Sequence, residues 1–307
     1  MFSNDILNRP LLTDVEIKEL IDAARDTVQN NTRQVSQRAR MGEQIASVIG
    51  SGSDFAEVRA YHSGDDPRHI DWRATARSQV SLVRTYHSEF SQPVCLLIDR
   101  RASMRFATRV RLKVTQALRM ALWLGGREAR SGREMSLVIL DSPCHWVPAQ
   151  QGMQALKLMT TLANTPCPPS ATDGDGSNIL EWGKILSGLQ QHVAKDSELI
   201  LLTDWYGLKD SDSKMLRILG QHCTVTAIHI TDPSEVSPAF SGSLKLHWGS
   251  KDHYFSASEN NASAQLSHDL LTRAEAIAIR LRQANINYCS LSVEQDELSV
   301  VGAEIVL

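Results

Sequence analysis

The stretch Val94-Cys95-Leu96-Leu97-Ile98-Asp99 is a continuous apolar run that ends at a carboxylate. Residues 198–204, Glu-Leu-Ile-Leu-Leu-Thr-Asp, have the same character. Strands buried on both faces of a parallel sheet read as near-continuous apolar runs, so we predict that the two stretches are adjacent central strands. Ligands of such sheets bind at the carboxyl ends of the strands. Asp99 and Asp204 are therefore candidate functional carboxylates, and we expect them to lie close together.

Strand and helix patterns alternate around these two stretches. Further strands are predicted at 134–140, 146–148, 223–230 and 286–293, with short strands near 244–248 and 253–255. Helices are predicted at 153–162 and 179–192, at a segment closing at 216–220, and where apolar residues recur at helical spacing over 110–122 and 266–281. The fold class that follows is α/β, a doubly wound, mostly parallel sheet with helices on both faces.

Three cations define the polar side of the helix expected after Asp99. Arg105, Arg109 and Lys113 are spaced four residues apart. Side chains at this spacing share one face of a helix, which predicts that the three form a solvated stripe.

The segments before residue 93 differ from the α/β pattern. Thr13 and Glu16 have the spacing of a capping box, and the apolar residues that follow predict a helix over 14–40. Residues 50–53, Gly-Ser-Gly-Ser, indicate a flexible break before strands at 55–61 and 80–90. We divide the chain into an N-terminal helical extension (1–45), a β-rich segment (46–92) and an α/β domain (93–307).

Composition bounds the class of protein and its setting. The chain has 307 residues, 42% of them hydrophobic, and a net charge of −3, which is typical of a globular protein. No apolar run approaches the roughly 20 residues that a membrane-spanning helix needs, and the first residues lack a secretory pattern. Five dispersed cysteines without a CxxC pair predict free thiols in a reducing compartment. We expect a cytoplasmic protein with no membrane span.

Charge is distributed unevenly along the chain. Residues 1–140 hold 21 Lys and Arg against 16 Asp and Glu, whereas residues 141–307 hold 11 against 19. Of the 21 cations in the first part, 19 are arginines, the side chain best suited to bidentate pairing with carboxylates. This pattern favours internal ion pairs, and we expect no nucleic-acid partner. Binding to a nucleic acid would be recognised by an affinity that falls steeply as salt rises.

The common catalytic motifs of α/β proteins are missing. There is no GxxxxGK[ST] or GxGxxG loop for nucleotides, no GxSxG elbow and no HExxH zinc motif. Residues 173–178, Asp-Gly-Asp-Gly-Ser-Asn, superficially match a calcium loop, but Asn178 stands at the glycine position and Lys184 at that of the bidentate glutamate. We interpret this segment as an exposed turn before a helix.

Two further segments, taken together, are distinctive enough to indicate a protein family. The first is Arg59-x-Tyr61-x-x-Gly64-Asp65-Asp66-x-Arg68-x-Ile70-Asp71-Trp72-x-x-Thr75-Ala76-Arg77. The second is Asp99-Arg100-Arg101-Ala102-Ser103, with Gly176-Ser177-Asn178 and Thr203-Asp204 later in the chain. From about residue 50 to about residue 233, the sequence resembles the von Willebrand factor A-like family catalogued as domain of unknown function number 58. The members of that family are encoded beside MoxR-type AAA+ ATPases.

The resemblance implies an A-type sheet with a metal-ion-dependent adhesion site at its upper edge. The matching positions are Asp99, Arg101, Ser103, Ser177 and Asp204. Arg101 departs from the pattern, because a guanidinium cannot ligate a cation and Mg²⁺ wants about six oxygens. We expect a degenerate site that binds no metal or binds Mg²⁺ weakly, with Arg101 either neutralising the two aspartates or swinging out into solvent.

Three arginines follow the first candidate strand and offer a second use for the same edge. Arg100, Arg101 and Arg105 would present fixed positive charge to a partner in place of the metal. The alternative is that Asp99 and Asp204 neutralise them internally.

The segment rich in Asp and Arg also has two interpretations. In the first it is a structural network that pairs aspartates with arginines over a packed Trp72 and Tyr61; its charged members are Arg59, Asp65, Asp66, Arg68, Asp71 and Arg77. In the second, the aspartates form a catalytic metal cluster with His62 and His69. Cations and anions alternate almost one to one, which favours the network because buried charges need partners.

These features predict a non-enzymatic protein-interaction module. The resemblance implies a MoxR-type AAA+ ATPase as the partner, in protein maturation, assembly or stress response, with the client protein unknown. The alternative is a metal-dependent hydrolase that uses the Asp-rich segment or the strand-end carboxylates.

Overall fold

The structure is a computed structural model that describes residues 11–24, 49–60, 70–78, 80–87, 92–108, 110–141, 143–166, 181–236, 243–248, 251–256 and 260–297. The chain forms two compact units. The large unit comprises Met1–Val28 and Gln92–Leu307, and the small unit comprises Gln29–Ser91. The small unit is therefore inserted into the sequence of the large one. Its end at Ser91 lies one residue from the predicted boundary at 92, whereas its start at Gln29 differs from the predicted boundary at 45.

The described residues contain ten strands. In chain order they are β1 (Ile49–Ala60), β2 (Leu82–His87), β3 (Val94–Asp99), β4 (Glu134–Leu140), β5 (His145–Gln151), β6 (Glu198–Thr203), β7 (Thr224–Thr231), β8 (Ser243–Trp248), β9 (Lys251–Ser256) and β10 (Asn287–Ser292). Six of them form the sheet of the large unit, in the order β10-β7-β6-β3-β4-β5. Every pair in it is parallel except β4 with β5. The predicted α/β fold class is confirmed.

The described residues also contain eight α-helices. They are α1 (residues 14–24), α2 (Trp72–Thr75), α3 (Lys113–Ser131), α4 (Gly152–Asn164), α5 (Trp182–His192), α6 (Ser213–His222), α7 (Pro233–Val236) and α8 (Asn260–Gln283). One hydrophobic cluster joins one face of the sheet to α1, α3 and α4, and a second joins the other face to α5, α6 and α8. This is the double winding that the sequence predicts.

The segment after β3 differs from the predicted helix. A 3₁₀ turn at Ala102–Arg105 follows the strand, and α3 begins only at Lys113. Val110, expected on the buried face, is 62% exposed. The start of α3 is set by tertiary contacts of the intervening loop, which helical spacing alone does not reveal.

The N-terminal helix α1 belongs to the core of the large unit and is not a separate extension. The Thr13 amide donates to Glu16 Oε2 at 2.9 Å, and the Glu16 amide donates to Thr13 Oγ1 at 3.3 Å, so the predicted capping box is present. The Leu12 amide donates to the Ala163 carbonyl at the end of α4, and the apolar side of α1 is buried with α3 and α4. Residues 25–40 of the predicted helix lie outside the described residues.

The small unit contains the antiparallel pair β1–β2. Both strands were predicted, but residues 50–53, expected to form a break, are part of β1, where the pairing has an irregularity between Gly50 and Phe55. The pair β8–β9 forms a separate antiparallel hairpin.

Two further predictions concern membrane-spanning helices and the state of the thiols. Among the described helices, none combines the length and the apolar character needed to cross a bilayer. Cys95 and Cys223 are buried free thiols, and burial raises their pKa values to about 11 and about 12.

Close packing of α6 against the chain after α8 gives a test of the fold. A Cβ atom at Gly220 would overlap the carbonyl oxygen of Ala284, whereas one at Gly183 would meet only Asp212 Oδ1 at 3.5 Å. We expect Gly220→Ala to lower the free energy of unfolding by about 1–3 kcal/mol through overpacking, measured by urea denaturation. Gly183→Ala, in α5, is the matched control and should be neutral or slightly stabilising. Equal effects of the two substitutions would contradict the described packing.

Candidate functional site

The carboxyl ends of β3 and β6 meet at one edge of the sheet. The two strands are parallel neighbours, with Ile98 paired to Leu202, so Asp99 lies opposite Thr203, the residue directly before Asp204. The Thr203 hydroxyl donates to Asp99 Oδ2 at 2.6 Å and joins the two strand ends directly. Both carboxylates are buried. The expectation that they lie close together is confirmed, and we call the ends of β3, β6 and β7 the carboxyl edge.

Arg101 neutralises Asp99. Its guanidinium donates to both carboxylate oxygens, from Nη2 to Oδ2 at 2.7 Å and from Nε to Oδ1 at 3.0 Å, and its backbone amide donates to Oδ1 at 2.9 Å. Burial opposes the charge on Arg101, but Asp99 and Asp204 outweigh it and raise the pKa of the guanidinium. Of the two expected positions of Arg101, the structure therefore has the inward one.

Lys113 neutralises Asp204. Its Nζ donates to Asp204 Oδ2 at 2.9 Å and to Glu235 Oε1 at 2.7 Å. Burial opposes the ammonium charge, but the two carboxylates raise the pKa of Lys113 above its usual range. Burial also opposes the charge on Asp204, and Lys113 with the Tyr206 amide lowers the pKa of this carboxyl. The pair is thus fully ionised at neutral pH.

The sequence interpretation missed Lys113, which was assigned to a solvated stripe. The stripe depended on a helix running through residue 105, whereas Lys113 is the first residue of α3 and is buried. The sequence contains one signal that sets Lys113 apart from the other cations. Lys113 is one of only two lysines among the 21 cations of residues 1–140, so it breaks the otherwise uniform use of arginine.

Two stacked indoles lie beneath Arg101. The Arg101 guanidinium lies 4.8 Å from the ring centroid of Trp182, and Trp182 stacks on Trp205 with 4.8 Å between centroids. Trp205 has a φ of 57°, a left-handed conformation that costs a non-glycine residue about 1–2 kcal/mol. Strain of this size persists where the surroundings impose it. Here the turn both buries the indole and leaves Asp204 facing Lys113.

A third carboxylate, Asp232, ends β7 at the same edge. It accepts hydrogen bonds from the Thr108 amide at 2.8 Å, from the Thr108 hydroxyl and from Ser234. Burial opposes its charge, but these bonds lower the pKa of Asp232. The sequence analysis did not single it out, although Thr231-Asp232 repeats the Thr203-Asp204 pattern after an apolar strand. Its effect is to anchor the loop that follows the 3₁₀ turn.

A family profile matches residues 57–276, well over half of the chain. The chain belongs to the family described as protein of unknown function DUF58. This family was expected from the two signature segments. Uncharacterized proteins of Mycobacterium tuberculosis (Rv1480) and Mycobacterium bovis (Mb1516) are each 26% identical over 225 residues, which make up 73% of this chain and 68% of theirs.

Solved structures resemble this DUF58 chain only distantly. The conserved hypothetical protein BatB from Bacteroides thetaiotaomicron has 10% identity and a TM-score of 0.42, covering 69% of this chain and 94% of that one. A von Willebrand factor type A protein from Catenulispora acidiphila has 14% identity and a TM-score of 0.29, covering 76% and 52%. TM-scores this low do not assign a function or a site to the DUF58 chain, and its fold follows from its own strands and helices.

The remaining positions that were predicted for an adhesion-type site are only partly described. Ser103 donates from its hydroxyl to Asp204 Oδ1 at 3.2 Å and so joins Asp99, Arg101 and Asp204 at the carboxyl edge. Ser177 lies outside the described residues.

The residues present do not fit a divalent cation. Each of the carboxylates Asp99 and Asp204 is already compensated by a buried cation at hydrogen-bond distance. Among the described residues, no group of three or more His, Cys, Asp or Glu side chains has a geometry suited to a metal. Lys113 was not part of the predicted site, and with Arg101 it brings two positive charges to the carboxylates that were predicted as metal ligands.

Arg100 and Arg105 lie in different environments. Arg100 is buried, with Nε 3.8 Å from Asp141 Oδ2 and Nη2 donating to the Pro166 carbonyl at 3.4 Å. Arg100 and Arg101 therefore do not present the free surface charge expected of them, because their own aspartates hold them inside. Arg105 as a whole is partly exposed, but its Nε and Nη1 are buried and have no hydrogen-bond partner in the described part of the chain.

The structural network expected in the small unit is only partly described. The Asp71 side chain accepts from the Arg73 and Ala74 amides and caps α2. Trp72, expected to pack beneath the network, is instead 69% exposed as the first residue of that helix, and Arg77 is also exposed. Arg59 lies in β1. The other members fall outside the described residues, namely Tyr61, His62, Asp65, Asp66, Arg68 and His69.

The Lys113–Asp204 pair predicts a specific dependence of stability on pH. The pKa of Asp204 is depressed, so its contribution is present above the unfolded value of 3.8 and is lost as pH falls. The pKa of Lys113 is raised, so its contribution is full below 10.5 and is lost as pH rises through the folded value. We expect Lys113→Met to cost about 3–5 kcal/mol at pH 7, because it leaves Asp204 buried without its cation.

The measurement is urea denaturation of the native protein and the variant between pH 3 and pH 8. The native protein should lose stability on acidification, while the variant should gain it as the unpaired Asp204 takes up a proton, so the two curves should converge at low pH. Lys214→Met, which removes an exposed lysine of α6, is the matched control. Parallel curves for the native protein and Lys113→Met would show that the pair is not formed.

The two internal cations also predict how the site responds to Mg²⁺. Calorimetric titration of the native protein should show little or no binding. Arg101→Ser returns a hydroxyl to the site but leaves Lys113 on Asp204, so we expect binding to stay weak in that variant. The double substitution Arg101→Ser with Lys113→Ser should give measurable binding. Tight binding by the native protein that Asp99→Asn abolishes would refute the assignment.

Proposed function

We propose that this protein is a non-catalytic protein-interaction module that docks its partner on the carboxyl edge. The proposal rests on the observation that each carboxylate at this edge that could take part in catalysis is already bound by other side chains of the protein. Asp99 is held by Arg101, Asp204 by Lys113, and Asp232 by Thr108 and Ser234. A hydrolase would need one of these groups as a nucleophile, general base or metal ligand.

His229, which lies on β7 next to Asp204, does not provide a general base either. His229 is buried on β7, where Nδ1 lies 2.9 Å from the Tyr288 hydroxyl. Burial lowers the pKa of His229 to about 4, well below the value near 7 that suits a general base at neutral pH. This favours binding over catalysis at the carboxyl edge.

The loop between β3 and α3 supplies a surface for docking. Phe106 is 39% exposed and Val110 is 62% exposed, and both follow the partly exposed Arg105. Asp232 fixes the loop through Thr108, so the apolar side chains are presented without the cost of ordering a flexible segment. Aromatic and arginine side chains are enriched among the residues that dominate binding energies.

The partner that we propose is a MoxR-type AAA+ ATPase, with this protein as its adaptor in protein maturation, assembly or stress response. The support for this partner class is the family resemblance of the two signature segments. The proposed setting is the cytoplasm, where the thiols of Cys95 and Cys223 would remain reduced. In this proposal Arg105 pairs with a carboxylate of the ATPase, and Phe106 and Val110 contact its apolar side chains.

Binding of the purified ATPase encoded in the same genome, followed by biolayer interferometry, tests the proposal. We expect Arg105→Glu and Phe106→Ala each to weaken binding about tenfold or more, and the native affinity to fall as salt rises, because charge complementarity is screened.

Two controls complete this experiment. Arg130→Glu and Met153→Ala replace exposed residues of α3 and α4 far along the chain from the loop, and both should bind like the native protein. Undiminished binding by the loop variants would place the docking surface elsewhere. Turnover of a phosphoester or nucleotide with Mg²⁺ or Mn²⁺ that Asp99→Asn abolishes would favour the hydrolase instead.

A further inference from the structure

The small unit has an exposed surface that the proposed function does not use. It consists of Trp72, Arg73, Arg77 and Val80, and we call it the signature face because it lies in the sequence signature of the family. Trp72 is 69% exposed and Val80 is 54% exposed, and both arginines are exposed. Tryptophan is rarely left in solvent without a reason, since it is highly buried on average.

The signature face is held rigidly by hydrogen bonds to β2. The Asp71 amide donates to the Leu82 carbonyl at 2.9 Å, and the Leu82 amide donates to Thr75 Oγ1 at 2.9 Å. Asp71 also caps α2 at the base of Trp72. A rigid aromatic side chain loses little conformational entropy on binding, so Trp72 is presented in the manner of an interface anchor.

The signature face carries two arginines, and Asp71 directly precedes it in the sequence. Residues 72–88 contain three arginines and no Asp or Glu. Within the described part of the chain, Arg73 and Arg77 form no ion pair. Two exposed positive charges within a few residues of an exposed indole and an exposed valine therefore define the chemistry of a complementary ligand.

We infer that the signature face binds an acidic protein segment that carries an aromatic or large aliphatic side chain. Its carboxylates pair with Arg73 and Arg77, and its apolar side chain packs on Trp72 and Val80. Tryptophan and arginine are the residue types most enriched among binding hot spots.

Two other classes of ligand fit less well. Recruitment to anionic lipid takes clusters of about four to eight basic residues, and this face has two. Nucleic-acid binding depends on extended neutralisation of phosphates, whereas the net charge of the chain is −3. The inference concerns a face of the small unit and stands or falls independently of the carboxyl edge.

Fluorescence anisotropy with labelled twelve-residue peptides tests the inference on the full chain. The probe alternates acidic residues with leucine and phenylalanine. One comparison peptide replaces the apolar residues by glycine, and another replaces the acidic residues by lysine. We expect the native protein to bind only the first, with an affinity that falls at least tenfold between 50 mM and 500 mM salt.

Variants assign the binding to the signature face. Trp72→Ala and the double variant Arg73→Glu with Arg77→Glu should each weaken binding at least tenfold, and Val80→Asp provides an independent change should either fail to fold. Arg130→Glu and Val15→Ala, which alter exposed residues of the large unit, should leave it unchanged. Bound peptide should also protect Trp72 from acrylamide quenching, seen as a difference between the native protein and Trp72→Phe.

Several experimental results would overturn the inference. Failure of the native protein to bind the acidic apolar peptide overturns the inference. So does Trp72-dependent binding to vesicles of phosphatidylserine or to single-stranded DNA, and so does Trp72-dependent self-association in sedimentation velocity. Quenching of Trp72 in the free protein no greater than that of a buried indole would mean that the face is already covered.

Discussion

Two carboxylates buried side by side at the ends of adjacent parallel strands are the constraint on which this structure depends. Asp99 and Asp204 are forced together by the register of β3 and β6, and neither can remain charged in the interior without a partner. Arg101 and Lys113 supply one cation each. Arg101 lies two residues after Asp99, so this ion pair is local in sequence. Lys113 reaches Asp204 from helix α3, so the second ion pair forms only through tertiary structure.

Other features at the carboxyl edge follow from that arrangement. Lys113 must begin α3 to reach Asp204, and this leaves residues 106–112 as a loop instead of another helical turn. Asp232 holds the loop at Thr108. The strained turn at Trp205 places an indole under Trp182, which in turn supports the Arg101 guanidinium. The site is thus a set of mutually dependent contacts in which charge compensation and loop presentation are coupled.

The sequence predicts strands and strand-end carboxylates well because these depend on local patterns. Glu198–Thr203 was predicted residue for residue, and Asp99 and Asp204 were identified from the apolar runs that precede them. Lys113 and Trp72 were misassigned for a shared reason. Whether a side chain near a helix start faces inward depends on the residue at which the helix begins and on what the rest of the fold places against it, and the sequence pattern shows neither. Trp205 gave no local signal, because a left-handed tryptophan is a response to its surroundings.

The insertion of the small unit into the sequence of the large one has a consequence for biosynthesis. Helix α1 is made before α4, and Leu12 bonds to Ala163, so the helix cannot dock until α4 has left the ribosome. Until then its apolar side lacks its partners on α4, and the large unit must close a loop that contains the whole small unit. Contacts so distant in sequence slow folding, and an unsatisfied apolar helix is a site of aggregation in nascent chains. Helix α1 therefore reaches its native place only after elements that follow it in the chain.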